Sequence, residues 1–208
     1  MPSKPLSPHL VDPGRCAVIT MELQRGVCGD LATMTSLAEA VTSAGVVPAT
    51  AGVLAAARRR AVPIVHCTFT LLDDRAGTPM NAPLMRMVVK DPNHLLVGST
   101  AADVIPELGL DPGDVISDRH HGFAPFTGTD LATLLHNRDV GTVIVTGVSL
   151  NLGIPGAVIE AVGCGFDVVL LSDCVVGVPG DYGDAIIANT LAMVATITDS
   201  QQLIAAWE

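Results

Sequence analysis

Short apolar runs that alternate with helical stretches constrain the fold of this chain more than any other feature of its sequence. The runs consist mostly of Val, Ile and Leu, which is typical of strands that are buried on both faces of a sheet. Strands of this kind form parallel sheets whose two faces are covered by helices. We therefore predict an α/β fold with three α/β/α layers and an open, mainly parallel central sheet. The predicted strands span residues 16–20, 62–69, 115–118, 142–146 and 167–172.

The helices are indicated by their end signals and by apolar residues at helical spacing. Thr129 is predicted to cap one helix and Asp181 another, while Pro155 lies in the first turn of a third helix that Gly165 terminates. The stretch 83–90 is apolar nearly all round, so we expect it to be buried or to lie at an interface. The predicted helices span residues 47–60, 83–90, 129–137, 155–164, 181–195 and 199–207.

No break in composition divides the chain, so we expect a single domain over residues 1–208, with the proline-rich residues 1–14 as an irregular N-terminal arm. Charged residues make up 15% of the chain against 49% apolar residues, and this scarcity of charge predicts subunit contacts in a homo-oligomer, a dimer or a tetramer. A net charge of −10 argues against nucleic acid as a partner. Neither a signal peptide nor an apolar run of the ~20 residues that span a bilayer is present, so we expect no membrane partner and a cytoplasmic location.

Three loops follow the carboxyl ends of predicted strands, where parallel sheets place their ligand sites. They span residues 21–30, 119–127 and 147–153. Glu22 stands at the first of these strand ends, where partial burial suits a carboxyl group for general acid or base catalysis. The alternative role of Glu22 is structural, as a loop cap or as the partner of Arg25 or Arg119. His66, near the end of the second strand, is within reach of the same edge.

The third loop carries the most specific motif, Thr-Gly-Val-Ser-Leu-Asn-Leu-Gly-Ile at 146–154, between a buried strand and a helix. This motif resembles the catalytic turn of the isochorismatase-like hydrolases, also called the cysteine hydrolase superfamily. In most members of that family the residue that matches Gly153 is a cysteine nucleophile. The resemblance therefore implies the isochorismatase-like fold, a cis peptide bond around Val148-Ser149, and a reaction without a covalent thioester.

The first loop resembles the family's pattern of an aspartate, an apolar residue and a glutamine, with Glu22, Leu23 and Gln24 at those positions. The family carries a lysine in the second loop, and two alignments match that lysine either to Ser117 or to His120. Because neither residue is a lysine, we expect a nearby arginine or histidine to supply the positive charge, or an acid, in place of the family's lysine. The resulting candidates are Glu22, His120 and His121 for catalysis, and Gln24, His66, Arg119, Phe123, Phe126, Ser149, Asn151 and Gly153 for substrate binding.

True isochorismatases, one branch of this family, cleave a vinyl ether with a carboxylic acid and without a thiol nucleophile. The resemblance implies that this chain is a hydrolase of a small polar or anionic metabolite, in which Glu22 exchanges protons with the substrate. The alternative is a catalytically silent member that binds a small molecule or acts through oligomer contacts. A displaced thiol, Cys28 or Cys67, is a third interpretation. The Asp-x-His triplet of the zinc-binding nicotinamidases does not follow the second strand, so neither a metal nor a cofactor is expected.

Overall fold

The computed structural model describes residues 6–208, and these form one sheet of six strands that are all parallel. The strands are β1 (Cys16–Met21), β2 (Ile64–Phe69), β3 (Val115–Arg119), β4 (Thr142–Val148), β5 (Asp167–Val176) and β6 (Thr196–Thr198). Their order across the sheet is β3-β2-β1-β4-β5-β6, so β1 and β4 are central and β3 and β6 form the edges. Helices cover both faces, which confirms the predicted α/β/α architecture.

Eight α-helices lie within the described part of the chain. They are α1 (Arg25–Cys28), α2 (Thr35–Ala44), α3 (Val46–Arg59), α4 (Pro83–Val88), α5 (Leu131–His136), α6 (Gly153–Gly163), α7 (Gly180–Asn189) and α8 (Ser200–Trp207). The sequence pattern indicates all of them except α1 and α2. A left-handed residue, Gly45 with φ 68°, ends α2 and leads directly into α3.

The sheet separates two aliphatic cores, because alternate residues of a strand point to opposite faces. Along β1, Cys16 and Val18 pack in one core, whereas Ala17 and Ile19 pack in the other. All residues of β1, β2 and β4 are buried. This burial on two sides explains why the strands are continuous apolar runs in the sequence.

The region after α7 departs from the predicted helix 181–195. The helix ends at Asn189, and Thr196–Thr198 forms the edge strand β6 beside β5. Two threonines flanking an isoleucine are β-branched and fit a strand well. Pairing with the sheet therefore outweighs the helical spacing of the apolar residues in this segment.

Neither predicted cap residue occupies the cap position of its helix. Asp181 lies inside the first turn of α7, where its carboxylate accepts a hydrogen bond from the N–H of Tyr182, and Pro179 occupies the cap position. Thr129 lies one residue before the cap of α5, which is Asp130, although its hydroxyl oxygen accepts a hydrogen bond from the N–H of Leu131 at 3.3 Å. Both helices are therefore present near the predicted starts, and both predicted caps are wrong by one or two residues.

Helix α4 is covered on one side only. Met85 is 3% exposed, whereas Met87 is 48% exposed. The other side of α4 is available for contact with a partner, and the expected homo-oligomer stays a prediction.

Residues 1–5 of the predicted N-terminal arm lie outside the described residues. The rest of the arm contains a short 3-10 turn at Pro8–Leu10. Among residues 6–208 no single helix is long and apolar enough to cross a membrane. The bent pair of α2 and α3 meets that test by length and composition together, with an angle of 60° between the two helices.

Candidate active site

Glu22 leaves the sheet directly after β1. Its N–H donates to the carbonyl oxygen of Cys67 at 2.9 Å, and its φ of 51° turns the chain away from the strand direction. The carboxylate Oε1 contacts Nη2 of Arg119, which is the last residue of β3. The side chain of Glu22 is 20% exposed and that of Arg119 is 1% exposed. The sheet therefore brings together an acid and a cation that are 97 residues apart in the sequence.

The Arg119 guanidinium is held from two further directions. Its Nη1 donates to the carbonyl oxygen of Thr68 at 3.1 Å, and its central carbon lies 5.4 Å from the centroid of the Phe69 ring. A buried guanidinium needs such partners, because an unpaired buried charge is costly. Arg119 thus supplies the positive charge that the sequence left open between an arginine and two histidines, and it pairs with Glu22 as the structural alternative predicts.

Glu22 lines a cavity of about 80 Å³ at this edge of the sheet. One wall comes from α4 and another from the loop after β3, which contributes Phe123. The lining is mainly apolar, so the part of a ligand that enters it contacts mostly apolar side chains. Its main apolar side chains are Met34, Phe69, Leu84, Met85, Val88 and Phe123.

His94 is a second ionisable residue in the lining of this cavity. Burial lowers the pKa of its imidazole and Arg75 lowers it further, while Asp91 acts in the opposite direction. A neutral imidazole can both donate and accept a hydrogen bond. Sequence reasoning missed His94, because the residue lies in the segment after α4 and follows no strand.

His120 and His121 do not line the cavity. The Nδ1 atom of His120 lies 3.1 Å from both the hydroxyl and the carbonyl oxygen of Thr70, and 3.9 Å from the Asp118 carboxylate. His121 lies 3.1 Å from the carbonyl oxygen of Thr127 through Nε2, and it forms part of a surface depression beside Arg75. The structure therefore separates the two histidines from Glu22, although the sequence places all three in the catalytic set.

His66 also lies outside the cavity lining. Its side chain is 1% exposed, with Nδ1 2.8 Å from the hydroxyl of Thr20 and Nε2 3.3 Å from the Asp114 carboxylate. Burial lowers the pKa of His66, against the effect of Asp114. His66 is therefore part of a buried network within the sheet and is not positioned to bind a ligand at the strand ends.

The side-chain amides of Gln24 and Asn151 form hydrogen bonds with main-chain groups. Gln24 donates to the carbonyl oxygens of Phe69 and Ala102, and it accepts from the N–H of Phe69 at 2.8 Å. Asn151 donates to the carbonyl oxygen of Val178 at 2.7 Å and accepts from its N–H at 2.9 Å. Both residues therefore hold loops at the carboxyl edge, and their predicted substrate contact would require these bonds to break.

Phe126 and Ser149 have structural contacts as well. Phe126 is 5% exposed and packs with Phe166 at a centroid distance of 5.9 Å. The carbonyl oxygen of Ser149 accepts from the N–H groups of Leu152 and Ile154, at 3.2 and 3.0 Å. The turn before α6 therefore uses two of its own N–H groups, which leaves fewer for an anion than the sequence predicts.

Gly153 begins α6, directly after this turn, and the Val148-Ser149 bond is cis as the resemblance implies. A Cβ atom at position 153 would lie 2.9 Å from the carbonyl oxygen of Val148 and 3.3 Å from Cε of Met21. The first distance is shorter than real Cβ contacts. The room that a side chain would need is thus already taken by main chain and by a methionine.

The cysteines near the strand ends are poor thiolate candidates. Burial raises the pKa of Cys28 to about 12 with a further contribution from Glu22, and burial likewise raises the pKa of Cys67 to about 12. Cys16 lies at the opposite, amino end of β1, and burial also raises its pKa to about 12. A reactive cysteine needs a lowered pKa and exposure. Within residues 6–208, no three His, Cys, Asp or Glu side chains are grouped so that they could hold a metal ion.

Comparison with known proteins gives similarity along nearly the whole chain. The family model of the isochorismatase domain matches residues 16–202. A cysteine hydrolase from Pseudomonas syringae pv. phaseolicola 1448A has a similar structure, with a TM-score of 0.83, 24% identity, and coverage of 99% of this chain and 98% of that chain. An N-carbamoylsarcosine amidase from Thermoplasma acidophilum is similar with a TM-score of 0.70 and 20% identity, over 89% of this chain and 96% of that chain.

A curated relative, the isochorismatase family protein YwoC of Bacillus subtilis (strain 168), is 32% identical over 73 residues. That match spans 35% of this chain and 38% of the relative, so it covers well under half of either protein. The family model covers far more of the sequence, from residue 16 to residue 202. This chain belongs to the isochorismatase family.

Proposed function

We propose that this chain is a hydrolase that uses the carboxyl group of Glu22, and no thiol, to move protons. The observation that carries the proposal is the contrast between two positions next to the end of β1. Glu22 presents a carboxylate to a cavity, whereas Gly153 has no side chain and no room for one. Membership of the isochorismatase family supports hydrolysis, and the amidase among the similar structures widens the range of bonds to be considered.

The contacts of Glu22 leave one oxygen available for chemistry. Among residues 6–208, the side chain that contacts the carboxylate is that of Arg119, and it does so through Oε1. Arg119 therefore fixes the orientation of the carboxyl group, while Oε2 has no hydrogen-bond partner within these residues and is left for a substrate or a water molecule. A general acid or base needs this kind of direct access to the proton that it transfers.

Two hydrolytic modes use that oxygen. As an acid, Glu22 protonates the carbon of a vinyl ether, water adds to the resulting oxocarbenium ion and returns a proton to Glu22, and the hemiacetal breaks down to a carbonyl compound and an alcohol. As a base, Glu22 takes a proton from the water that attacks an amide or imide, and then passes it to the leaving nitrogen. In both modes one water is consumed and Glu22 returns to its starting state.

The experiment is a turnover assay with a panel of small vinyl ethers, amides and imides. Wild type is compared with Glu22→Gln, which keeps the shape of the side chain, and with Glu22→Asp, which keeps the carboxyl group. We expect Glu22→Gln to lower the rate by about 100-fold. Glu39→Gln removes an exposed carboxylate on α2 and serves as the matched control. Full activity in Glu22→Gln, or an acyl adduct in the intact mass of the wild type, would contradict the proposal.

A second candidate is a family member that binds a small molecule without turnover. The filled space beside Gly153 and the mainly apolar cavity favour it. This candidate predicts that ligands bind while no member of the panel is hydrolysed. The turnover assay therefore separates the two functions directly.

We also propose that the protein self-associates. Apolar side chains are exposed on α6, with Ile159 56% and Val162 41% exposed, and Met193 after α7 is 80% exposed. Exposed apolar surface of this kind commonly marks a protein interface. Sedimentation velocity at micromolar concentration should give a dimer or a larger species, and a purely monomeric profile would contradict this proposal.

A further inference from the structure

We infer that the cavity at Glu22 takes a short aliphatic molecule with one uncharged head group that donates hydrogen bonds. This inference rests on the site proposed above and names the class of ligand that the site accepts. It narrows the sequence-based expectation of a polar or anionic metabolite to an uncharged polar one. Three features of the cavity lead to it: the charge balance, the size and the nature of the walls.

The charge balance disfavours an ionic ligand. The negative charge of Glu22 is compensated by Arg119, whose Nη1 and Nη2 are already engaged by Thr68 and Glu22. The described residues of the lining include neither Lys nor Arg. A bound carboxylate would therefore lie beside Glu22 without a cation of its own, and a bound ammonium would lie close to the buried Arg119. Either ion also loses its hydration among apolar side chains, which is costly without a partner.

The size of the cavity limits the part of the ligand that it encloses. Its volume is about 80 Å³. A dry protein cavity of about 150 Å³ accommodates benzene, which has six non-hydrogen atoms. By this comparison the cavity encloses roughly three non-hydrogen atoms, the size of a short carbon chain, and the remaining atoms of the ligand lie toward its open side.

The walls provide an apolar part and a polar part. Leu84, Met85 and Val88 of α4 form an aliphatic wall that suits a chain of two or three carbons. Glu22 and His94 are the ionisable residues of the lining. The open oxygen of Glu22 accepts a hydrogen bond, and a neutral His94 ring can donate one. A primary amide, with an NH₂ donor and a carbonyl acceptor, matches both groups.

The test measures binding and so does not depend on turnover. Propionamide, propionate and propylammonium have the same carbon chain and differ in the charge of the head group. Isothermal titration or ligand-observed NMR at pH 7.5 should show that propionamide binds at least 10-fold more tightly than either ion. Equal or tighter binding of propionate to the wild type overturns the inference, and so does the absence of binding by all three probes at 50 mM.

Two variants locate the preference. In Glu22→Gln the charge of Arg119 is no longer balanced, so the ratio of propionamide to propionate affinity should fall at least 10-fold; an unchanged ratio overturns the argument from charge.

Val88→Phe fills the cavity from α4 and should abolish binding of propionamide. As a control, Leu110→Phe places a phenylalanine at an exposed loop position outside the cavity lining and should leave binding unchanged. Binding that survives Val88→Phe in a protein with wild-type circular dichroism places the ligand elsewhere and overturns the inference.

The two proposals fail in different ways. If propionamide is preferred but no substrate is hydrolysed, the hydrolase proposal fails and the ligand class stands. If turnover depends on Glu22 but propionate binds as well as propionamide, the ligand class fails and the hydrolase proposal stands.

Discussion

Two carboxylates at opposite ends of the sheet have very different surroundings. Asp114 directly precedes the amino end of β3, is 4% exposed, and accepts a hydrogen bond from Arg58 at 2.6 Å and one from a main-chain N–H at 3.0 Å. The same oxygen lies 3.3 Å from His66. Glu22 follows the carboxyl end of β1, is 20% exposed, and has Arg119 as its side-chain partner.

This difference separates a structural acid from one that is suited to chemistry. Asp114 joins α3, β2 and β3 through its contacts with Arg58 and His66. Within residues 6–208, Oε2 of Glu22 has no hydrogen-bond partner, and the residue lines a cavity that a small molecule can enter. A carboxylate surrounded by partners stabilises the fold, whereas one with a single partner beside a cavity remains able to exchange a proton.

The largest expected effect is on turnover, and it should be seen for the substitution of Glu22 but not for that of Asp114. Glu22→Gln should lower the rate about 100-fold, which corresponds to about 2.7 kcal/mol in the barrier. Asp114→Asn should keep the rate per folded molecule within about threefold, because Asp114 takes no part in the proton transfer. The measurement is a steady-state rate normalised to folded protein at a temperature where both variants are folded. A similar loss in both variants would remove the distinction between the two ends of the sheet.

The second effect is on stability and concerns Asp114. Removal of one member of a buried ion pair costs about 3–5 kcal/mol. Arg58 is 27% exposed and regains some hydration when its partner is neutral, so we expect about 3 kcal/mol for Asp114→Asn. Urea denaturation followed by circular dichroism gives the free energy of unfolding. Asp73→Asn, at an exposed loop position, is the control, and an equally small loss at both positions would contradict the structural role of Asp114.

The third effect concerns Gly153, at the same end of the sheet as Glu22. Gly153→Cys places a Cβ atom against the Val148 carbonyl oxygen and the Met21 side chain, and overpacking of this kind costs about 1–3 kcal/mol. Gly163→Cys changes the other end of the same helix, where no heavy atom lies within 4 Å of the added Cβ. Thermal unfolding should therefore show a loss for the first variant and no comparable loss for the second. If Gly153→Cys is as stable as the wild type and gains thiol-dependent turnover, the site was merely missing its nucleophile.

The strands were the most predictable part of the molecule, and the reason is physical. Strands buried on both faces must be apolar along their whole length, so β1, β2 and β4 are visible as continuous runs. The parallel arrangement then fixes which loops lie at the same edge of the sheet. This rule alone selects Glu22, at the carboxyl end of β1, as a candidate site residue. In contrast, β6 is only three residues long, and its pairing with β5 depends on a distant partner that local spacing does not reveal.

The side-chain partners at the site were less predictable. Successive residues of a strand point to opposite faces, so at the end of β3 Arg119 reaches Glu22 while Asp118 bonds Thr68 and Thr70 on the other face. A run of adjacent polar residues in the sequence therefore does not form a single cluster. His94 could not be predicted for another reason. The cavity is completed by a connecting segment that is distant from every strand end in the sequence but pairs with Leu71, just after β2, in the structure.

The smallest effect is the pH dependence of stability, and it tests the amino end of the sheet through His66. Burial lowers the pKa of His66 in the folded state below its ordinary value of 6.5. Protons therefore bind the unfolded chain more readily, so the stabilising contribution of His66 is complete above about pH 6.5 and is lost as the pH falls toward the folded-state pKa. The pKa of Asp114 is also lowered: burial opposes this shift, but hydrogen bonds from Arg58, a main-chain N–H and His66 outweigh it. That lowering adds a further loss of stability only below about pH 4.

Between pH 7.5 and 5, the unfolding free energy of the wild type should decline, and His66→Asn should flatten that decline. His94 also has a lowered pKa and titrates in the same window, but it is only partly buried, so His94→Asn should flatten the decline less. Urea denaturation at four pH values for the three proteins gives the slopes. If the unfolding free energy of His66→Asn declines with pH as steeply as that of the wild type, His66 is not held neutral by the buried network. The two ends of the sheet would then differ less than their contacts indicate.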